Sequence, residues 1–190
     1  MLKNQIQQLD KEMPLYLVEK EYMKENDISF HENGSNENIE NRFLGAYIER
    51  SNKETDELIE TESDSFLSES ISYFKKQKAE FLYVESKWFH IIAIDAVSLE
   101  VDDVFGAYEA MLGLKLKKNQ EKTIKSFLDR ELLEGEKKYN LMFNQQDGLW
   151  DLNITLDVLK GFEETMTIGE VIGSLYQFIF QLLVEVEKTL

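Results

Sequence analysis

From Thr167 to Val186 the chain is apolar almost all the way round a helix. Thr167 and Glu170 form a capping box, the threonine oxygen accepting from the N3 amide and the glutamate reaching back to the N-cap amide. Met166 and Val171 stand at the flanking staple positions. Past this start the polar residues are Glu170, Ser174, Gln177, Gln181 and Glu185. At about 3.6 residues per turn they share one narrow strip. A surface helix shows a single apolar stripe. This one shows more, so it needs cover on two sides and belongs at the centre of the fold. Its most apolar stretch, Val171 to Val184, has 14 residues and carries Ser174, Gln177 and Gln181, which reads as too short and too polar for a bilayer span.

A hairpin is the second constraint. Asp147-Gly148 is the signature of a two-residue type I′ turn. With those two residues as the loop, Phe143 faces Leu152, Leu141 faces Ile154 and Tyr139 faces Leu156. Asn144, Asn140 and Lys138 then meet Asp151, Thr155 and Asp157 on the other side. One face is apolar and one polar, and a slip of one residue would mix them. The C-terminal helix is expected to pack on the apolar face of this 137–159 hairpin. Its remaining surface would meet other helices or a second copy.

Helical spacing of Leu15, Val18 and Tyr22 predicts a helix over 15–26. A polar loop, read as mobile, follows over 27–38 and includes His31 and Gly34. Phe43, Leu44, Tyr47 and Ile48 predict a helix over 39–50, and the acidic stretch 51–64 reads as a loop or the start of the next helix, at 65–79. The stretch 80–99 is dense in aromatic and β-branched residues and is read as strand, although the same residues also keep a helical phase. Asp102 and Asp103 are read as the acidic start of a helix over 101–113. Asn119 and Gly135 bracket another helix, over 119–134. The fold class expected is α+β: antiparallel hairpins packed against several helices, with the long apolar C-terminal helix in the core. The alternative is a mainly helical bundle carrying one β-hairpin. The 190 residues read as one domain, with an N-terminal helical part over 1–50 and the main core over 51–190.

Composition removes several classes of function. There is no cysteine, so thiolate chemistry and disulfides are excluded. Acidic residues number 37 against 21 basic, a net charge of -16, which repels nucleic acid and anionic membrane. The N-terminus lacks the apolar stretch of a signal peptide, and the expected location is cytoplasmic. Lysine outnumbers arginine 18 to 3, a bias that suits an AT-rich bacterial or phage coding sequence. No Gly-rich phosphate loop and no Gly-x-Ser-x-Gly elbow occurs. The two histidines, His31 and His90, stand 59 residues apart without a metal-site spacing; His31 reads as a loop residue and His90 as a core or edge residue with one hydrogen bond. No catalytic residue, metal ligand or cofactor is assigned.

Charge is distributed unevenly. Glu54 to Glu69 holds seven acids and no base, while Lys115 to Lys125 holds five lysines against Glu121. The first function expected is therefore a non-enzymatic acidic binder or inhibitor of a basic protein, docking through Asp56, Glu57, Glu60, Glu62 and Asp64. Trp150, beside the hairpin tip, is expected to be partly exposed and to anchor the contact. Bacterial immunity proteins and phage-encoded inhibitors often share this size and charge. A second reading is a structural homo-oligomer, a homodimer joined at Phe178, Ile179 and Leu182 of the C-terminal helix. A third is a Mg²⁺ or Mn²⁺ hydrolase of phosphorylated small molecules. It needs Glu57, Glu60 and Asp64 to share one helical face at i, i+3 and i+7.

Overall fold

Alternation with a period of two runs through much of the chain and builds one sheet. The computed structural model describes residues 2–7, 14–30, 42–135 and 138–189. Among these residues the strands are β1 (Tyr47–Asn52), β2 (Leu58–Glu62), β3 (Glu80–Glu85), β4 (Ala96–Val101), β5 (Tyr108–Leu114), β6 (Tyr139–Asn144) and β7 (Leu149–Thr155). They form a seven-stranded antiparallel sheet of order β2-β1-β3-β4-β5-β7-β6. The helices are α1 (Leu2–Ile6), α2 (Leu17–Glu25), α3 (Tyr73–Lys76), α4 (Glu121–Glu131) and α5 (Ile168–Glu187). The fold is α+β, as the patterns of the hairpin and the last helix require.

Along β4, Val97, Leu99 and Val101 are buried while Ala96, Ser98 and Glu100 are half-buried. Ile48, Leu82, Val84, Tyr108, Ala110, Leu112, Leu114, Trp150, Leu152 and Ile154 continue the inner face of the sheet. α5 joins the same core with twelve buried residues, packed beside α1, α2, α4 and a 3-10 turn at Phe89–Ile92. Its capping box is present, Glu170 N donating to Thr167 Oγ1 and Thr167 N to Glu170. By length and composition alone α5 would also pass for a bilayer span, contrary to the reading of its shorter apolar stretch; in this fold 61% of that window is buried in the protein. Full burial closes the oligomer face expected on this helix. Phe178, Ile179 and Leu182 are 7%, 0% and 0% exposed within a single chain, so they offer a second copy no surface.

The N-terminal part is tied to α5 by a buried ion pair. Arg42 holds Glu19 with both terminal nitrogens, at 2.7 and 3.0 Å, and both side chains are fully buried. Tyr176 of α5 donates to the same carboxylate at 2.6 Å, and Tyr16 N adds a fourth bond at 2.8 Å. The guanidinium lies about 5 Å from the rings of Tyr16, Trp88 and Tyr176. These bonds satisfy the carboxylate and both terminal guanidinium nitrogens, whose removal from water is otherwise costly, while the buried Arg42 Nε has no hydrogen-bond partner.

Three hairpins close with one turn design. Asn52, Asp102 and Asn144 each accept, through the side-chain oxygen, the N–H groups two and three residues on. In each, the residue four places on donates its N–H to the carbonyl of the first residue, at 2.8–2.9 Å, and adopts a left-handed conformation: Asp56, Gly106 and Gly148. This Asx-initiated turn explains most departures from the sequence expectations. Asp102 opens a turn between β4 and β5 rather than a helix over 101–113. Asn52 opens a turn between β1 and β2, within the stretch 51–64 expected as a loop or the start of a helix. Asn144 makes the last hairpin loop four residues long, so Phe143 faces Trp150 and Leu141 faces Leu152. The pairing is displaced by two residues from the expected one. Two residues is a full strand period, so the apolar face survives.

Over the described residues 42–50 a turn and β1 stand in place of the helix expected over 39–50. Gly45, with φ +77, breaks the helical run, and its N–H donates to Asp64. The helix expected over 65–79 reduces to a 3-10 turn at Asp64–Ser68 and α3. The stretch 80–99 is strand at both ends, with the 3-10 turn between. Most of the loop expected over 27–38, with His31, lies outside the described residues.

Candidate interaction surface

All five charged strand positions on the outer face of the sheet are acidic. Cross-strand register places Glu49, Glu85, Glu100, Glu109 and Asp151 there, with Tyr47, Leu58, Phe81, Tyr83, Met111 and Met142 between them. Among the described residues no helix lies over this face. Tyr47 is 44% exposed, Leu58 56% and Met142 60%; Ser51, Glu109 and Thr155 are its buried exceptions.

Hydroxyls on the same strand bind two of these five carboxylates. Tyr47 and Ser51 hydroxyls donate to Glu49 at 2.6 and 2.7 Å, and Tyr83 donates to Glu85 at 2.6 Å. These bonds lower the Glu49 pKa, through Tyr47 first and Ser51 next. Burial, then the bond to Glu85, pushes Tyr83 up to about 12. Glu100 and Glu109 oppose each other directly on β4 and β5. Burial raises the Glu100 pKa, with Lys53 opposing and Glu109, Asp103 and Asp102 adding to the rise.

Two hairpin turns meet at one end of this face. Lys53 Nζ donates to Val101 O at 2.5 Å and to Asp103 at 3.3 Å, joining the β1–β2 turn to the β4–β5 turn. The β4–β5 turn presents Val104 and Phe105, 81% and 70% exposed, beside Asp102 and Asp103. Phe105 is thus the exposed aromatic at a hairpin tip, the role expected of Trp150. Trp150 is 2% exposed, packs edge-on against Phe143 at 5.0 Å and donates Nε1–H to Lys117 O. Its position on β7 shares the parity of Leu152 and Ile154, which points it into the core.

The expected acidic strip is brought together on the β1–β2 hairpin, but its members differ. Asp56 and Glu57 sit in the turn and Glu60 on β2, all exposed. Glu62 is drawn to Arg50 at 2.6 Å, which also holds Glu80 at 2.9 Å and the Tyr73 hydroxyl at 3.0 Å. Asp64 accepts from Gly45 N at 2.8 Å. The shared helical face that a divalent metal site required does not form, because 58–62 is a strand. No group of three or more His, Asp or Glu suited to a metal occurs among the described residues. His90 is exposed, and its Nδ1 faces the Lys87 carbonyl within its own turn.

On the helix side a groove of about 420 Å³ lies between Tyr16, the Asp64–Ser68 turn and α5, with Asp64, Leu44 and Gln177 also in its lining. No lysine or arginine lines it, so it offers an anionic ligand no counter-charge.

The outer face is hard to read in the sequence because two of its seven strands, β1 and β5, lie in stretches whose spacing and acidic start suit a helix. The signal was present in the repeated pattern of Asn or Asp followed four residues later by Gly or Asp. Compared with known proteins, the chain matches no family model, no curated protein and no solved structure.

Proposed function

We propose that this chain is a non-enzymatic cytoplasmic binding protein that captures, and so inhibits, a basic protein partner on the outer face of its sheet. The uniform sign of the charged strand positions on that face supports this reading. A partner rich in lysine or arginine would be steered to the face, and acidic partners rejected, by charge complementarity. Val104 and Phe105 supply an apolar anchor at its rim, of the kind that carries much of the binding energy in interfaces. Glu49 and Glu85 are already held in place by hydroxyls, so ordering them costs little on association. Asp56 and Glu57 extend the acidic surface at the joined turns, while Glu60, paired in register with Arg50, stands at inner-face parity on the edge strand β2.

The test is capture from lysate of the source cells at low and moderate salt, with the wild type and two charge-reversed forms. Glu49→Lys/Glu85→Lys/Asp151→Lys alters the outer face. Glu121→Lys/Glu134→Lys/Glu163→Lys makes the same change of net charge at exposed positions elsewhere. The expected outcome is one stoichiometric basic protein, released by salt, kept by the second form and lost by the first. Equal loss in both forms, or recovery of bait alone, would contradict the proposal.

A further inference from the structure

The two edges of the sheet are protected very differently. β2 carries Glu60 and Glu62 and has a bulge opposite Arg50 and Ser51. Charge and bulges are the ordinary means of stopping an edge strand from pairing with another chain. β6 has neither. Its six residues, Tyr-Asn-Leu-Met-Phe-Asn, include no charge, proline or glycine, and it pairs with β7 in unbroken register. It is the only described strand without a charged residue. Met142 is 60% exposed, and the inward-facing Tyr139, Leu141 and Phe143 are only half-buried, so the core is open along this edge. In a chain of net charge -16, β6 is where two copies meet without setting carboxylate against carboxylate.

We propose that β6 pairs antiparallel with β6 of a second copy, joining two seven-stranded sheets about a twofold axis. Inner face continues into inner face only if paired positions share parity. An axis at Met142 satisfies this: Met142 faces Met142 of the second copy, Leu141 faces Phe143, and Asn140 faces Asn144. Polar side chains then meet polar ones and apolar meet apolar. Tyr139 stays outside the pairing, its hydroxyl held by Asp129 at 2.8 Å. The self-association expected at α5 is thereby relocated to an edge that is free to pair. Of the residues named on the acidic docking face it uses only Met142, and it needs none of that face's carboxylates or Phe105, so either proposal can fail alone.

The chain has no cysteine, which gives a clean probe. Light scattering and sedimentation equilibrium of the wild type are expected to give a dimer. Met142→Lys is expected to give a monomer with unchanged circular dichroism, while Leu58→Lys on the other edge stays dimeric. Under mild oxidation Met142→Cys is expected to form an intermolecular disulfide far faster than Leu58→Cys. A monomeric wild type, a Met142→Lys form that stays dimeric, or equal cross-linking at both edges would each overturn the proposal.

Discussion

The same strands make both faces of the sheet, and the faces share almost nothing else. Leu99 and Glu100 are adjacent on β4; Leu99 is fully buried, while Glu100 lies opposite Glu109 on the outer face with Lys53 Nζ 3.9 Å away. The inner face is aliphatic and aromatic and closed by α5. The outer face mixes acids, tyrosines and exposed methionine, with hydroxyls bound to Glu49 and Glu85. Stability and recognition are therefore divided by parity along each strand. Substitutions at even and odd positions of one strand should affect different properties, and each experiment below tests that division.

The largest loss is expected where charge is buried. Ile179→Glu places an unpartnered carboxylate in the core and is expected to abolish folding rather than split a dimer. Arg42→Met leaves the buried Glu19 carboxylate without its cationic partner, and should cost about 3–5 kcal/mol in urea denaturation. A loss below about 1 kcal/mol would mean that the pair is solvated, as exposed pairs are.

Leu99→Ala empties a closed site and should cost about 2–5 kcal/mol. Its neighbour Ser98→Ala, on the outer face, should stay within about 0.5 kcal/mol. Comparable losses at both positions would show that the outer face is also packed, and the comparison would fail.

Asn144→Ala removes the acceptor of two turn amides and should cost about 1 kcal/mol. Asp102→Ala should do the same at its own turn, with Phe105 losing its fixed presentation. Asp56→Gly relieves a left-handed non-glycine residue and should raise the urea midpoint slightly. No change in any of the three would dissolve the shared turn design.

The smallest effects are titrations within the outer face, and they run in opposite directions. Glu100 holds its proton more tightly folded than unfolded. Its ionisation subtracts from stability as pH rises from the ordinary carboxylate value through the raised one. Glu100→Gln should therefore raise Tm at neutral pH and change nothing in acid. Glu49 is lowered, so its contribution is present above the ordinary carboxylate value and is lost as pH falls through the lowered one. Glu49→Gln should lower Tm slightly at neutral pH and not in acid. Parallel Tm–pH curves for the two variants would refute the charge arrangement.

How far the fold could be read from the sequence followed the strength of local signals. α5 announced itself through its capping box and its breadth of apolar surface, α4 through its stripe of Ile124, Phe127 and Leu128. The last hairpin was legible as two faces but not in register, because Asp147-Gly148 invites a two-residue loop while the Asn144 side chain selects four. β5 was misread because Asp102 and Asp103 suit a helix start as well as an Asx turn. The alternation of Tyr108, Ala110, Leu112 and Leu114 was the better guide. The acidic hairpin was visible as composition. The outer face was not, since it depends on which strands become neighbours, and Arg50's capture of Glu62 depends on the same pairing.

The most direct test of the outer face is site-specific cross-linking. A photoreactive phenylalanine analogue is placed at Phe105, at Tyr83, and at Leu133, which is 47% exposed beyond α4 on the helix side. Irradiation in lysate of the source cells is predicted to join one basic protein to positions 105 and 83, less so as salt rises, and not to position 133. No adduct at 105 and 83, or an equal adduct at all three, would contradict docking on the acidic face.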